Sequence, residues 1–237
     1  MEEAKKYENE GNIEKAFAFY QKTYENSKEI SEKKIVLLAI ARLYEKQKRY
    51  EESLETYKKC LDLASTSQEV TMIKTKIANC YIYQKQPLLA INIYDEIIKE
   101  YPKTEFAGEA QFLKANIYHR FIKDYEKAIN EYEKLIKEYP NHWSIKIPHS
   151  LQCIANCYWE LKKYEDAIKI FERIITNYPN TSFEKYAKLC IEFINEYDKK
   201  GKTVPPEVIM KRMKEIGLSE GIVSVEIKDN KVITEDK

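Results

Sequence analysis

The chain has 237 residues, with 40 Lys and Arg against 39 Asp and Glu, a net charge of +1, and only five Gly and seven Pro. Near-neutral charge argues against nucleic acid as the main partner, because neutralising phosphates calls for a clear basic excess. The shortage of turn residues argues against a sheet-rich fold, and no apolar run of about 18 residues is present to cross a membrane.

Lys, Glu, Ile, Leu and Ala dominate, as helices favour, and the wealth of Lys, Glu, Ile and Tyr suits a thermophile. The start at Met1 carries no signal peptide or lipid-attachment motif, which favours the cytoplasm. The first repeat begins at Met1 with half of its first helix, compatible with a processed or trimmed N-terminus. If an export signal has been removed, the periplasm is the alternative. Cys60, Cys80, Cys153, Cys157 and Cys190 form no Cys-x-x-Cys and sit among apolar helical residues. They are expected to be buried free thiols, which leans towards a reducing compartment.

Taken in order, the chain repeats itself. Ala4-x-x-Tyr7 is followed by Gly11 and by Ala16-x-x-x-Tyr20. The next copies are Ala41-x-x-Tyr44 with Ser53-x-x-x-Tyr57, and Ala78-x-x-Tyr81 with Ala90-x-x-x-Tyr94 ending at Pro102. Then come Ala115-x-x-Tyr118 with Ala128-x-x-x-Tyr132 ending at Pro140, and Ala155-x-x-Tyr158 with Ala167-x-x-x-Phe171 ending at Pro179. The first alanines step by 37, 37, 37 and 40 residues. The two small residues of a copy lie 12 apart except in the fourth, where they lie 13 apart, so one inserted residue falls between Tyr118 and Ala128. A fixed period of this length predicts stacked helix pairs.

Each copy places a small and a large residue on one face of each helix, letting two antiparallel helices approach with the aromatic beside the contact. Gly11 is suited to a left-handed helix end. Pro stops the second helix, and Thr104 and Thr181 stand where the next helix needs an N-cap. The joint 141–148 departs from the repeat: Trp143 either packs into it or serves as an exposed anchor, and Pro148 suits the first turn of the next helix. Residues 182–199 predict one more first helix, 207–216 a shorter helix ending near Gly217, and Ile222–Thr234 gives a hairpin signal around Asp229-Asn230.

These copies resemble the tetratricopeptide repeat (TPR) family over roughly residues 1–197. The resemblance implies an all-α, right-handed superhelical solenoid of antiparallel helix pairs. Residues 1–199 would form five repeats plus an extra first helix, and 200–237 a cap helix and hairpin tail. The period exceeds the usual 34, and Ser53 replaces one alanine. The joints Tyr101–Ala107 and Tyr178–Glu184 also look like those of bacterial cell-envelope members of the family.

No catalytic constellation stands out, and a non-enzyme without cofactor is expected. Gly201-Lys202-Thr203 lacks the earlier glycine of a phosphate loop, since Glu196 stands there. His149, Cys153 and Cys157 share a helix face, but core packing explains them better than a metal.

The resemblance implies a protein or peptide partner, held in a concave groove lined by the first helices. Asn79, Asn116 and Asn156 each follow the first alanine of their copy, where an amide can donate to and accept from a peptide backbone. By the same register Arg42, Tyr83, Phe112, Arg120, Gln152 and Trp159 should line the groove; the alternative is that the asparagines pair with neighbouring helices. The alternative function is a self-assembling or cell-envelope scaffold making contact through the tail or the 141–148 joint.

Overall fold

In the computed structural model, residues 2–140, 146–202 and 204–217 are described; Trp143 and the hairpin signal at 222–234 lie outside them. The described residues are helical, with no strand among them. The chain divides into two compact units, residues 1–117 and 118–237.

The first unit contains α1 (Glu2–Asn9), α2 (Ile13–Asn26), α3 (Ile30–Lys46), α4 (Tyr50–Leu61), α5 (Ser67–Tyr83), α6 (Pro87–Glu100) and α7 (Glu105–Asn116). Each packs on the next, and α5 also touches α7. The second unit contains α8 (Tyr125–Glu138), α9 (Lys146–Glu160), α10 (Tyr164–Asn177), α11 (Ser182–Glu196), a 3-10 turn at Asp198–Lys200 and α12 (Pro206–Glu215). Here α9 to α11 pack consecutively, α11 reaches back to α9, and α12 lies on α11. The expected helix pairs are therefore present.

The repeated small residues are the closest contacts. Ala4, Ala41, Ala78, Ala115 and Ala155 are all fully buried, as are Ala16, Ser53, Ala90, Ala128 and Ala167. Beside the second set, Tyr20, Tyr57, Tyr94, Tyr132 and Phe171 are among the largest fully buried side chains. Burying an aromatic of this size stabilises by about 2–3 kcal/mol, which makes this row the main cohesive element of each copy. Phe171 fills its place without a hydroxyl, so the ring is what this position requires. Ser53 keeps the alanine packing because its hydroxyl donates to the Ala41 carbonyl at 3.0 Å, leaving no unpaired buried donor. All five cysteines are buried and free.

The turn from first to second helix has one design throughout. Its pivot is Gly11, Lys48, Lys85, Lys123 or Lys162, each with φ between 59° and 75°. Around Lys48, Lys48 N–H donates to Glu45 O and Arg49 N–H to Tyr44 O; the same pair of bonds closes the turns at Gly11, Lys85 and Lys162. This is the paired-bond helix ending in which a left-handed residue satisfies the last carbonyls. Glycine is the residue this geometry favours, yet lysine holds it in four of five turns.

The Tyr-Pro-x-Thr joints are equally local. Lys103 and Asn180 are left-handed, at φ 61° and 63°. Thr104 Oγ1 donates to Tyr101 O and accepts from Ala107 N–H, and Thr181 does the same with Tyr178 O and Glu184 N–H. Both predicted N-caps are present, and Asn12, Thr66 and Asp124 cap three further helices.

The inserted residue of the fourth copy also has a physical form. Residues Ile117–Ile122 make a π-helix, whose wider turn holds one residue more than an α-turn. The Asp124 N–H then reaches back to Tyr118 O and closes the turn as in the other copies.

Candidate interaction surface

In the first unit, α3 carries Ile35, Leu38 and Arg42 on one face, at spacings of three and four. On α5 the corresponding positions are Met72, Thr75 and Asn79, with Tyr83 one turn further on. Ile35 is 52% exposed, Met72 44% and Tyr83 57%, unusual values for such large apolar bodies. Arg42 is exposed and Asn79 half-buried. The Arg42 side chain donates from Nε to its own helix at Leu38 O, 3.2 Å. The Tyr83 ring stacks on Tyr50 at 4.9 Å between centroids, 17° from parallel. Each helix thus shows an apolar N-terminal half and a polar or aromatic C-terminal half. Glu45, between Arg42 and Lys46, is held above its ordinary value by burial, against the pull of Tyr57, Lys76 and Arg42.

The other predicted residues fall differently. Phe112 and Gln152 are buried, at 6% and 8% exposure, and so do not present their side chains to solvent. Asn116 turns its amide onto the Phe112 carbonyl of its own helix, 3.0 Å away. Arg120 is exposed but lies inside the π-helix. Past Ile117 the extra residue shifts the helical phase, so Arg120 does not keep the register of Tyr83. In the second unit Asn156 Oδ1 accepts from the Tyr186 hydroxyl at 3.2 Å. Trp159 Nε1 donates to Asp198 at 3.0 Å, and its ring stands edge-on to Phe171 at 6.5 Å.

His119 lies in the same π-helix. Its Nδ1 is buried without a hydrogen-bond partner, and its ring meets Tyr125 and Tyr132 edge-on. Burial lowers its pKa to about 4, with Arg120 adding to the shift. The thiols of Cys153 and Cys157 are pushed up by burial, the direction opposite to a reactive or metal-binding thiolate. Among the described residues no group of three His, Cys, Asp or Glu side chains could hold a metal ion, and no helix is long and apolar enough to cross a membrane.

Sequence reasoning missed Ile35 and Met72 as part of the exposed face. Both stand six residues before the first alanine of their copy, a shared position that was available in the repeat alignment. It also missed Tyr50, which only the stacking with Tyr83 connects to this face.

Stacked small-and-aromatic helix pairs closed by left-handed turns define a helical-repeat protein. Tetratricopeptide repeat family models match residues 75–104, 109–142 and 154–181, and a second matches 36–67. These segments together span just over half of the sequence, and the chain belongs to the tetratricopeptide repeat family, whose members are generally non-catalytic scaffolds for protein–protein interaction. Among solved structures, a MamA protein is 19% identical with a TM-score of 0.51, covering 73% of this chain and 86% of its own. A Podosopora anserina protein of the kinesin light chain kind, with nearly identical TPR-like repeats, is 13% identical with a TM-score of 0.54, covering 74% of this chain and 91% of its own. At these identities the likeness is one of fold. No curated protein sequence matches the chain.

Proposed function

We propose that this chain captures an extended segment of a partner protein on the first-helix face of its N-terminal unit, formed by α3 and α5. Ile35 and Met72 supply apolar contacts, Asn79 pairs with the partner's backbone, and Arg42 and Tyr83 anchor its polar or acidic groups. The observation that carries this reading is a contrast between equivalent asparagines. Asn156 is engaged by Tyr186 and Asn116 by its own helix, whereas the half-buried Asn79 amide makes no hydrogen bond with another described residue. A half-buried amide without an internal partner, one turn before an exposed tyrosine and at the position of an exposed arginine in the preceding copy, suits recognition of a peptide irrespective of its exact side chains.

The test is affinity for a partner captured from native lysate, compared between the wild type and the Arg42→Ala/Asn79→Ala double variant. Neither side chain is part of the core, so helicity and melting temperature should stay level while affinity drops at least tenfold. Equal affinity of the two proteins overturns the proposal.

A further inference from the structure

The residues just before the small residue of each second helix form a series with one exception. They are Glu14-Lys15, Glu51-Glu52, Glu126-Lys127 and Glu165-Asp166 in four copies, and Leu88-Leu89 in the third. An acidic residue in a first helical turn is stabilising, because it faces the positive end of the helix dipole. In α6 that contribution is missing: its first turn has no acidic residue, and Gln86 provides no side-chain cap. The two leucines gain little from the protein itself, since Leu88 is 64% exposed and Leu89 42%. They share their turn with Tyr83, which is stacked on Tyr50. The stacked rings join aromatic surface from two neighbouring copies at the end of α5, directly before the turn that leads into Leu88 and Leu89.

Cations flank the patch. Lys48 and Arg49 precede Tyr50, and Lys85 lies between Tyr83 and the leucines. Arg49 is engaged by Glu52 at 2.7 Å and lies over the Tyr44 ring at 4.7 Å. Lys48 and Lys85 are exposed and make no ion pair with a described residue; their left-handed backbone fixes them at the tips of their turns.

We propose that this turn edge of Tyr50, Tyr83, Leu88 and Leu89, flanked by Lys48 and Lys85, is a second docking site, and that it takes an acidic peptide segment with a large apolar anchor. The apolar side chain covers the leucines and the tyrosine pair. The carboxylates meet the two lysines and the N-terminal end of α6, where the other copies keep their own acid. The site lies at the helix ends rather than along the first-helix face, and apart from Tyr83 it uses none of the residues of that face.

A random twelve-residue peptide library displayed on phage, selected against the whole protein, tests this. Selected peptides are synthesised with a fluorescent label and titrated into three proteins: wild type, Leu88→Glu/Leu89→Glu and Arg42→Ala/Asn79→Ala. The first variant restores the acidic pair found at Glu51-Glu52, so it should fold at least as well as the wild type. The proposal expects peptides rich in Asp and Glu with at least one Leu, Phe or Trp. They should bind more weakly as salt rises, lose at least tenfold in affinity on Leu88→Glu/Leu89→Glu and be unaffected by Arg42→Ala/Asn79→Ala. It is overturned by no enrichment, by basic or neutral peptides, or by undiminished binding to Leu88→Glu/Leu89→Glu. Loss on Arg42→Ala/Asn79→Ala alone overturns it while supporting the first-helix face. Concentration-dependent self-association that Leu88→Glu/Leu89→Glu abolishes also overturns it, by making the occupant a second copy.

Discussion

The Tyr186 hydroxyl donates to Asn156 Oδ1 across 3.2 Å, joining α11 to α9. Tyr186 is only 6% exposed, so this bond satisfies a phenol that has little access to water. Asn156→Ala should therefore cost about 1–3 kcal/mol, the range for leaving a buried polar group unpaired. Denaturant unfolding checks this: the midpoint should fall for Asn156→Ala and hold for Asn79→Ala.

The lysines held at positive φ predict stabilising substitutions. Lys103→Gly and Lys162→Gly should each stabilise by about 0.5–1 kcal/mol, relief of the left-handed penalty outweighing the entropy of glycine. Lys103→Asn should gain less, Asn180 being the chain's own example at that point of a joint. Thermal unfolding at fixed pH and salt reads these out.

The π-helix predicts that one residue can be removed. Deleting the exposed Phe121 restores the spacing of 12 found in the other copies and should convert Ile117–Ile122 into α-helix. Native-state hydrogen exchange should then slow across this segment, with helicity elsewhere unchanged. Global unfolding on deletion would contradict the assignment of the extra residue to this turn.

His119 predicts an acid-sensitive unit. Its folded pKa of about 4 lies below the ordinary 6.5, so the unfolded chain binds the proton more readily between these values. Its contribution is complete above pH 6.5 and is lost as pH falls towards 4, by about 3 kcal/mol over the window. Glu69, drawn down to about 2 by Lys34 and Ser65, loses its contribution only below the ordinary carboxylate range. Unfolding midpoints from pH 7 to 4 should therefore slope less in His119→Ile, which takes the residue at the equivalent Ile82 position.

The fold was legible because its determinants are local. Small residues at Ala4, Ala41, Ala78, Ala115 and Ala155 must be buried for two helices to approach, and Pro102 and Thr104 terminate and cap from sequence alone. Even the π-helix was visible as a spacing of 13, although its geometry was not. The interaction surface was less legible because exposure depends on partners far along the chain. Asn79, Asn116 and Asn156 occupy one sequence position, yet Tyr186 lies 30 residues beyond the last of them and decides its role. Phe112 and Gln152 stand at the position of the half-buried Leu38 and Thr75 but are covered. The Leu88-Leu89 pair was present as a break in a repeated acidic position, and only its exposure gave that break a meaning.

The most direct test of the proposed first-helix surface is the dissociation constant of a captured partner segment for wild type and for Arg42→Ala/Asn79→Ala, with melting temperatures measured in parallel. At least tenfold weaker binding at an unchanged melting temperature is the predicted result. Equal affinity, or weakening that tracks a lowered melting temperature, contradicts it.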